Sequence, residues 1–199
     1  MKSFIIIILS MSFGLLAGNT AGADEWILDK AHSSVNFSVS HLVIARVNGT
    51  FGEFDVDFTG SASDFSDAVI ETTIKTSSVN TGNEKRDGHL KADDFLNAEL
   101  YPEIRFVSTG VEKTEDGRYR IIGDLTIRDI TKQVVLDTKF NGVVKDPWGG
   151  TRAGFEASTT IDRFDFGVKW DSTTETGNFV AGKDVEITLL MEFVKKQQS

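Results

Sequence analysis

The chain has 199 residues, 40% hydrophobic and 26% charged, and no cysteine. One domain's worth of chain without disulfide staples must draw its stability from a core or from a ligand. A formal net charge of −9 argues against nucleic acid and anionic membrane surfaces as partners.

The N-terminus predicts export. Lys2 opens it with a positive charge, and Phe4 to Leu16 is an apolar run too short to span a bilayer comfortably. Ala21-Gly22-Ala23 offers the small-x-small pattern that signal peptidase requires. Residues 1–23 are therefore expected to be a cleaved signal peptide and residues 24–199 the exported mature domain. Loss of Lys2 would take the net charge from −9 to −10. No later apolar run approaches a transmembrane helix, so no membrane insertion of the mature chain is expected.

Period-two alternation then predicts eight strands. The first carries Val35, Phe37 and Val39 on one parity, continued by His41 towards the strand end. The second carries Phe54, Val56 and Phe58, and the third Ala68, Ile70, Thr72 and Ile74. Asn83 to Asn97 interrupts the pattern and reads as one helix or two short turns, capped by Asn83, weakened by Gly88 and stopped before Pro102. The fourth strand holds Ile104 and Phe106. Tyr119, Ile121, Gly123, Leu125 and Ile127 form the fifth. It makes a hairpin with Val134, Leu136, Thr138 and Phe140, the sixth, across Asp129-Ile130. The seventh places Ala153, Phe155, Ala157, Thr159 and Ile161 on one face, and the eighth Val185, Ile187, Leu189, Met191 and Phe193. Turn chemistry is expected at Asn48-Gly49, Asp116-Gly117, Asn141-Gly142, Pro147 and Gly149-Gly150.

Such a chain is all-β, and the outward parity chooses its solvent. Asp55, Glu71, Lys75, Arg105, Glu156, Glu186 and Glu192 fall there, more charge than a lipid-facing belt tolerates. A water-soluble antiparallel eight-stranded barrel is expected. Its inward set mixes large residues with Ser108, Gly123 and several Ala and Thr. That mixture suits interdigitated packing as well as a lumen holding one small ligand. Burying an alkyl or isoprenyl chain gains about 0.8 kcal/mol per methylene. A guest of about fifteen buried carbons would therefore gain about 12 kcal/mol without a specific polar anchor.

Chemistry-bearing motifs are sparse. His32, His41 and His89 do not stand at metal-ligand spacing, and no metal site is expected. There is no HExxH, GxSxG, SxxK or phosphate-binding glycine loop. His41 falls at the barrel mouth, and the Glu84–Leu90 stretch reads either as a solvated helix or as a lid. In the lid reading Arg86 or His89 meets a ligand head group while Leu90 and Phe95 plug the tunnel. Neither an enzyme nor a cofactor is expected. The alternatives are an enzyme acting on a lipid head group through His41 or His89, and a stress-related structural protein with a filled barrel.

Several motifs in order carry a resemblance across almost the whole mature length. They are Val35-Asn36-Phe37 with His41-Leu42, Gly49-Thr50-Phe51 with Phe54, and Arg86-Asp87-Gly88-His89-Leu90 with Asp94-Phe95-Leu96. Further on stand Gly123-Asp124-Leu125-Thr126-Ile127, Asp146-Pro147-Trp148-Gly149-Gly150 and Arg163-Phe164-Asp165-Phe166-Gly167. The chain resembles the YceI-like proteins. The resemblance implies a periplasmic location, a lipocalin-like barrel, one or two short helical segments between the third and fourth strands, and a bound isoprenoid quinone, polyprenyl lipid or fatty amphiphile. It also implies pairing into homodimers. Motifs and parity together nominate Phe37, Val39, His41, Phe51, Phe54, Val56, Ile70, Leu90, Phe95, Phe106, Ile121, Leu136, Phe155 and Met191 as lining residues. His41, Arg86 and His89 are the expected head-group contacts.

Overall fold

The computed structural model describes residues 23–175 and 177–197. The expected signal peptide, but for Ala23, lies outside the described residues. Among those described, no helix is long and apolar enough to cross a membrane.

Short strands and bends build a closed wall. β1 (Asp24–Leu28) bends at residues 29–33 into β2 (Ser34–His41), and β3 (Ala45–Phe51) bends at Gly52-Glu53 into β4 (Phe54–Ser61). β5 (Asp64–Lys75) passes through a 3₁₀ turn, Thr76–Ser78, into the two-residue β6 (Val79–Asn80). After the helix α1 (Glu84–Leu90) come β7 (Glu103–Glu115), β8 (Arg118–Ile127), β9 (Ile130–Lys145), β10 (Thr151–Asp162) and β11 (Ala181–Lys195). β1 pairs with β4 on one side and β11 on the other. That closes an eight-stranded antiparallel ring in the order β1-β4-β5-β7-β8-β9-β10-β11. β2, β3 and β6 extend the wall beyond it, with β2 taking over the β11 edge through Val35↔Leu189. Closure leaves the ring itself without an unpaired edge.

Four expectations need correction. Asn48-Gly49 is not a turn but lies inside β3, where Gly49 pairs with Phe37. A Cβ at Gly49 would come within 2.3 Å of the Phe37 ring, so only glycine fits that close approach. The β2–β3 turn falls instead at Leu42-Val43, both at positive φ (52° and 67°). Asn141-Gly142 is likewise interior to β9. The register there passes from Phe155↔Phe140 to Gly154↔Gly142, which leaves Asn141 as the extra residue of a β-bulge. The β8–β9 turn is Arg128-Asp129, since Ile127 already pairs with Ile130. The helix is one short segment that stops at Lys91, although Asn83 caps it as expected by accepting from the Arg86 amide at 3.0 Å.

Two apolar clusters divide the interior. At one end Trp26, Phe58, Phe65 and Phe193 are at most 4% exposed, and Phe140 and Phe155 pack against them. Ring centroids there lie about 5–6 Å apart in mostly tilted and edge-on arrangements, the geometry aromatic pairs favour. The Trp26 indole N–H donates to the Gly60 carbonyl at 2.9 Å, so its burial leaves no orphan donor. The second cluster runs from Ile104 and Phe106 through Ile121, Leu125 and Leu136 to Ile161 and Phe166.

Candidate functional site

The inward faces of the strands do not meet. They enclose a cavity of about 380 Å³, within the range of ~300–1,000 Å³ typical of small-ligand sites. The lining follows strand parity. Phe37 and Val39 come from β2, Phe51 from β3, Val56 and Phe58 from β4, and Ile70 and Ile74 from β5. Phe106, Ile121, Leu136, Phe155 and Met191 come from the remaining strands. Val185, Ile187 and Leu189 point the same way and are only half-buried, packing against the second cluster on one side and bordering the open volume on the other. The filled-barrel alternative therefore does not describe this lumen.

The cavity has a blind end and a polar end. Its floor is the aromatic cluster around Phe58, Phe65 and Phe193. Its mouth is bordered by Arg86, His89 and Leu90 of α1, His41 at the end of β2, Val168 and Trp170 from the segment leading into β11, and Ala181 at the start of β11. Phe95 and Trp170 stack across this region, centroids 5.4 Å apart, and His89 stands edge-on to both. The His89 Nε2 lies 2.9 Å from the Asp94 carboxylate, which fixes the ring's direction. Arg86 is held by Thr81, donating from Nε to the hydroxyl at 2.7 Å and from Nη2 to the carbonyl at 3.0 Å.

Of the residues nominated from sequence, Phe54 alone does not line the cavity. It packs against the Trp26 cluster instead. Sequence reasoning missed Trp170, Phe166 and Arg163, which do line it. They follow the last turn of β10, where Arg163–Phe166 forms a 3₁₀ turn closed by Gly167 at φ 71°, and no alternation marks that stretch. Outward parity predicts Glu192 to be a solubilising charge. It is instead half-buried and takes a hydrogen bond from Arg152, whose guanidinium also contacts Asp29 and Asp146. This arrangement, with His32 on Asp29, holds Asp29 well below the usual carboxylate range, from 3.8 to about 2. Asp29, His32 and Glu192 place their ligand atoms within 4.8 Å of one another, but Arg152 Nη1 bonds both carboxylates and already supplies the cation.

Comparison with known proteins agrees with this geometry. The YceI-like domain family model matches residues 26–193. A UPF0312 protein of Shewanella denitrificans is 40% identical over 92% of the chain and 93% of its own length. A UPF0312 protein of Staphylococcus aureus is 40% identical over 85% of the chain and 96% of its own length. Among solved structures, a Campylobacter jejuni YceI protein superposes with a TM-score of 0.70 at 34% identity, covering 85% of the chain and 97% of that protein. A polyisoprenoid-binding domain from Saccharophagus degradans shares the fold, with a TM-score of 0.64 at 14% identity over 87% of the chain and 99% of that domain.

Proposed function

Because the chain belongs to the YceI-like domain family, we propose that it is a periplasmic carrier that holds one long-chain isoprenoid or similar amphiphile in its barrel, and that it is not an enzyme. The observation that carries this reading is the cavity of about 380 Å³, walled almost entirely by apolar side chains and ending on aromatic rings. Each buried methylene of a guest adds about 0.8 kcal/mol, and the half-buried wall residues gain a neighbour they lack in its absence. An elongated hydrocarbon is matched by such a site in length and width rather than by hydrogen bonds. The polyisoprenoid-binding domain that shares this fold supports the choice of an isoprenoid over a compact apolar molecule.

Phe37, Val39, Phe51, Val56, Ile70, Leu90, Phe95, Phe106, Ile121, Leu136, Phe155 and Met191 would contact the chain, and His41, Arg86 and His89 the head. The test is organic extraction and mass spectrometry of protein purified from the periplasm, with delipidated protein then titrated with a long-chain quinone. Co-purification of an isoprenoid, with quenching on titration, is the expected result. Absence of any amphiphile together with no response to the quinone would sink the reading.

A further inference from the structure

Exposed apolar side chains are mostly scattered on this protein. Ile27, Val69, Leu100, Val107, Trp148 and Leu190 each stand out alone, as single surface hydrophobics commonly do. Among the described residues only one run of three large apolar side chains is exposed: Leu42 at 39%, Val43 at 66% and Ile44 at 88%. It forms the tip of the β2–β3 hairpin, and its sequence has none of the polar chemistry such tips favour. Leu42 and Val43 also hold positive φ, a conformation their side chains resist. Solvent exposure and backbone strain thus fall on the same residues.

The tip stands on the cavity mouth. Its base, His41, lines the cavity and pairs with Ala45 across the hairpin and with Ala181 of β11. The Leu42 amide donates to the Val180 carbonyl at 2.9 Å, and the Ile44 amide to the His41 carbonyl at 3.2 Å. Further from the tip, Val39 and Val47 pair across the same hairpin and line the lumen. Apolar side chains therefore continue, on either side of His41, from open solvent into the cavity. Charge does not compete with them, because the nearest permanent charge along the chain, Arg46, is tied to Glu186 at 2.8 Å.

We propose that this tip docks the protein on zwitterionic lipid bilayers. Leu42, Val43 and Ile44 dip into the membrane surface and bring the open end of the cavity against it. This rests on the carrier reading: a long-chain amphiphile resides in a bilayer rather than in water, so its carrier has to meet one at the end that opens. A formal net charge of −9 disfavours an anionic surface, which leaves apolar partition as the driving force. Three side chains fall well short of the roughly 800 Å² per partner that stable protein interfaces bury. Partition into lipid has no such threshold, because each side chain contributes in proportion to the apolar area it removes from water. Docking of this kind is shallow and reversible. A strained, exposed apolar tip costs stability, and proteins keep such features where function needs them.

The test is co-sedimentation of delipidated full-length mature protein with sucrose-loaded vesicles of dioleoylphosphatidylcholine. The parent is expected to pellet equally at about 20 mM and about 500 mM salt, since screening does not touch apolar partition. Leu42→Asn with Val43→Gly is expected to bind about tenfold or more weaker while its melting temperature rises, so unfolding does not explain the loss. Ile44→Ser, at the most exposed of the three positions, is expected to weaken binding several-fold, and Ile44→Trp to strengthen it with a blue-shifted emission. A parent that stays in the supernatant, or variants that pellet as the parent does, would overturn the docking role. Binding abolished by high salt would overturn it too. So would a parent dimer in sedimentation velocity that Ile44→Ser converts to monomer without any vesicle binding, which would assign the tip to a second copy. Titration of the same proteins with a long-chain quinone in solution keeps the two readings apart. Quinone binding without vesicle binding overturns docking alone, and vesicle binding without quinone binding overturns the carrier reading alone.

Discussion

The ring of Phe37 occupies the space that a side chain at Gly49 would need, directly across the β2–β3 ladder. The ring of Phe106 likewise fills the space a side chain at Gly123 would need, approaching diagonally, since Phe106 pairs with Leu125 and Gly123 with Ser108. In both cases an aromatic ring lies back on a glycine in the wall, so it thickens the barrel without filling it. Gly49→Ala is expected to force Phe37 towards the cavity at a cost of about 1–3 kcal/mol. Thermal unfolding checks the cost, and weaker guest binding by the same variant checks the direction in which the ring moves.

The cavity offers a second test that separates binding from stability. Leu189 faces the open volume and is only half-buried, so Leu189→Trp can grow into space that is otherwise empty. Guest affinity is expected to fall about tenfold or more while stability changes by less than about 1.5 kcal/mol. A variant with full affinity would show that the guest does not pass this level of the barrel.

The three tryptophans report from three environments. Trp26 is sealed in the aromatic floor at 2% exposure, Trp148 stands out in solvent at 84%, and Trp170 borders the cavity. Quenching by a bound quinone should therefore be lost in Trp170→Phe and retained in Trp148→Phe. Steady-state fluorescence of the two variants decides it.

Acid sensitivity should centre on Arg152. The folded value for Asp29, about 2, lies below its ordinary 3.8, with the Arg152 hydrogen bond as the main cause and His32 second. Its contribution to stability is thus complete above about pH 4 and disappears as the pH falls towards 2. Asp146 is shifted the same way, chiefly by the same guanidinium. The melting temperature is expected to drop over that window, and Arg152→Gln should lower it at neutral pH while flattening the drop. A pH profile as steep in the variant as in the parent would assign the acid response elsewhere.

The β2–β3 turn carries its own cost. Leu42 and Val43 both adopt positive φ, which a β-branched residue resists most, and they stand 39% and 66% exposed. Asn-Gly is the pair such turns favour. Leu42→Asn with Val43→Gly is therefore expected to stabilise the protein by about 1–3 kcal/mol, read as a rise in melting temperature.

The same turn shows where the sequence could be read and where it could not. Asn48-Gly49 has the chemistry of a hairpin turn, and the real turn, Leu42-Val43, has the chemistry of a strand. Local propensity lost to packing there, because Phe37 needs a glycine opposite it. The alternating residues of β4, β5 and β7 to β11 were legible because one face of each meets the lumen and the other meets water. That parity also placed most of the cavity wall correctly. Arg163, Phe166 and Trp170 lie in a stretch without period two, and only the path from β10 to β11 brings them to the mouth. Trp26 was invisible as part of the wall because β1 is five residues long and shares the β11 edge with β2.

The aromatic floor around Trp26 and Phe58 sets an order of events. A passage needs two doors, and at this end the ring is sealed by packed side chains. In the proposed function, a guest that enters tail first would leave head first, by the way it came. On the proposed carrier function, loading and delivery would be one movement run in opposite directions, and a receiver of the guest would meet the protein at the rim formed by α1, His41 and Trp170.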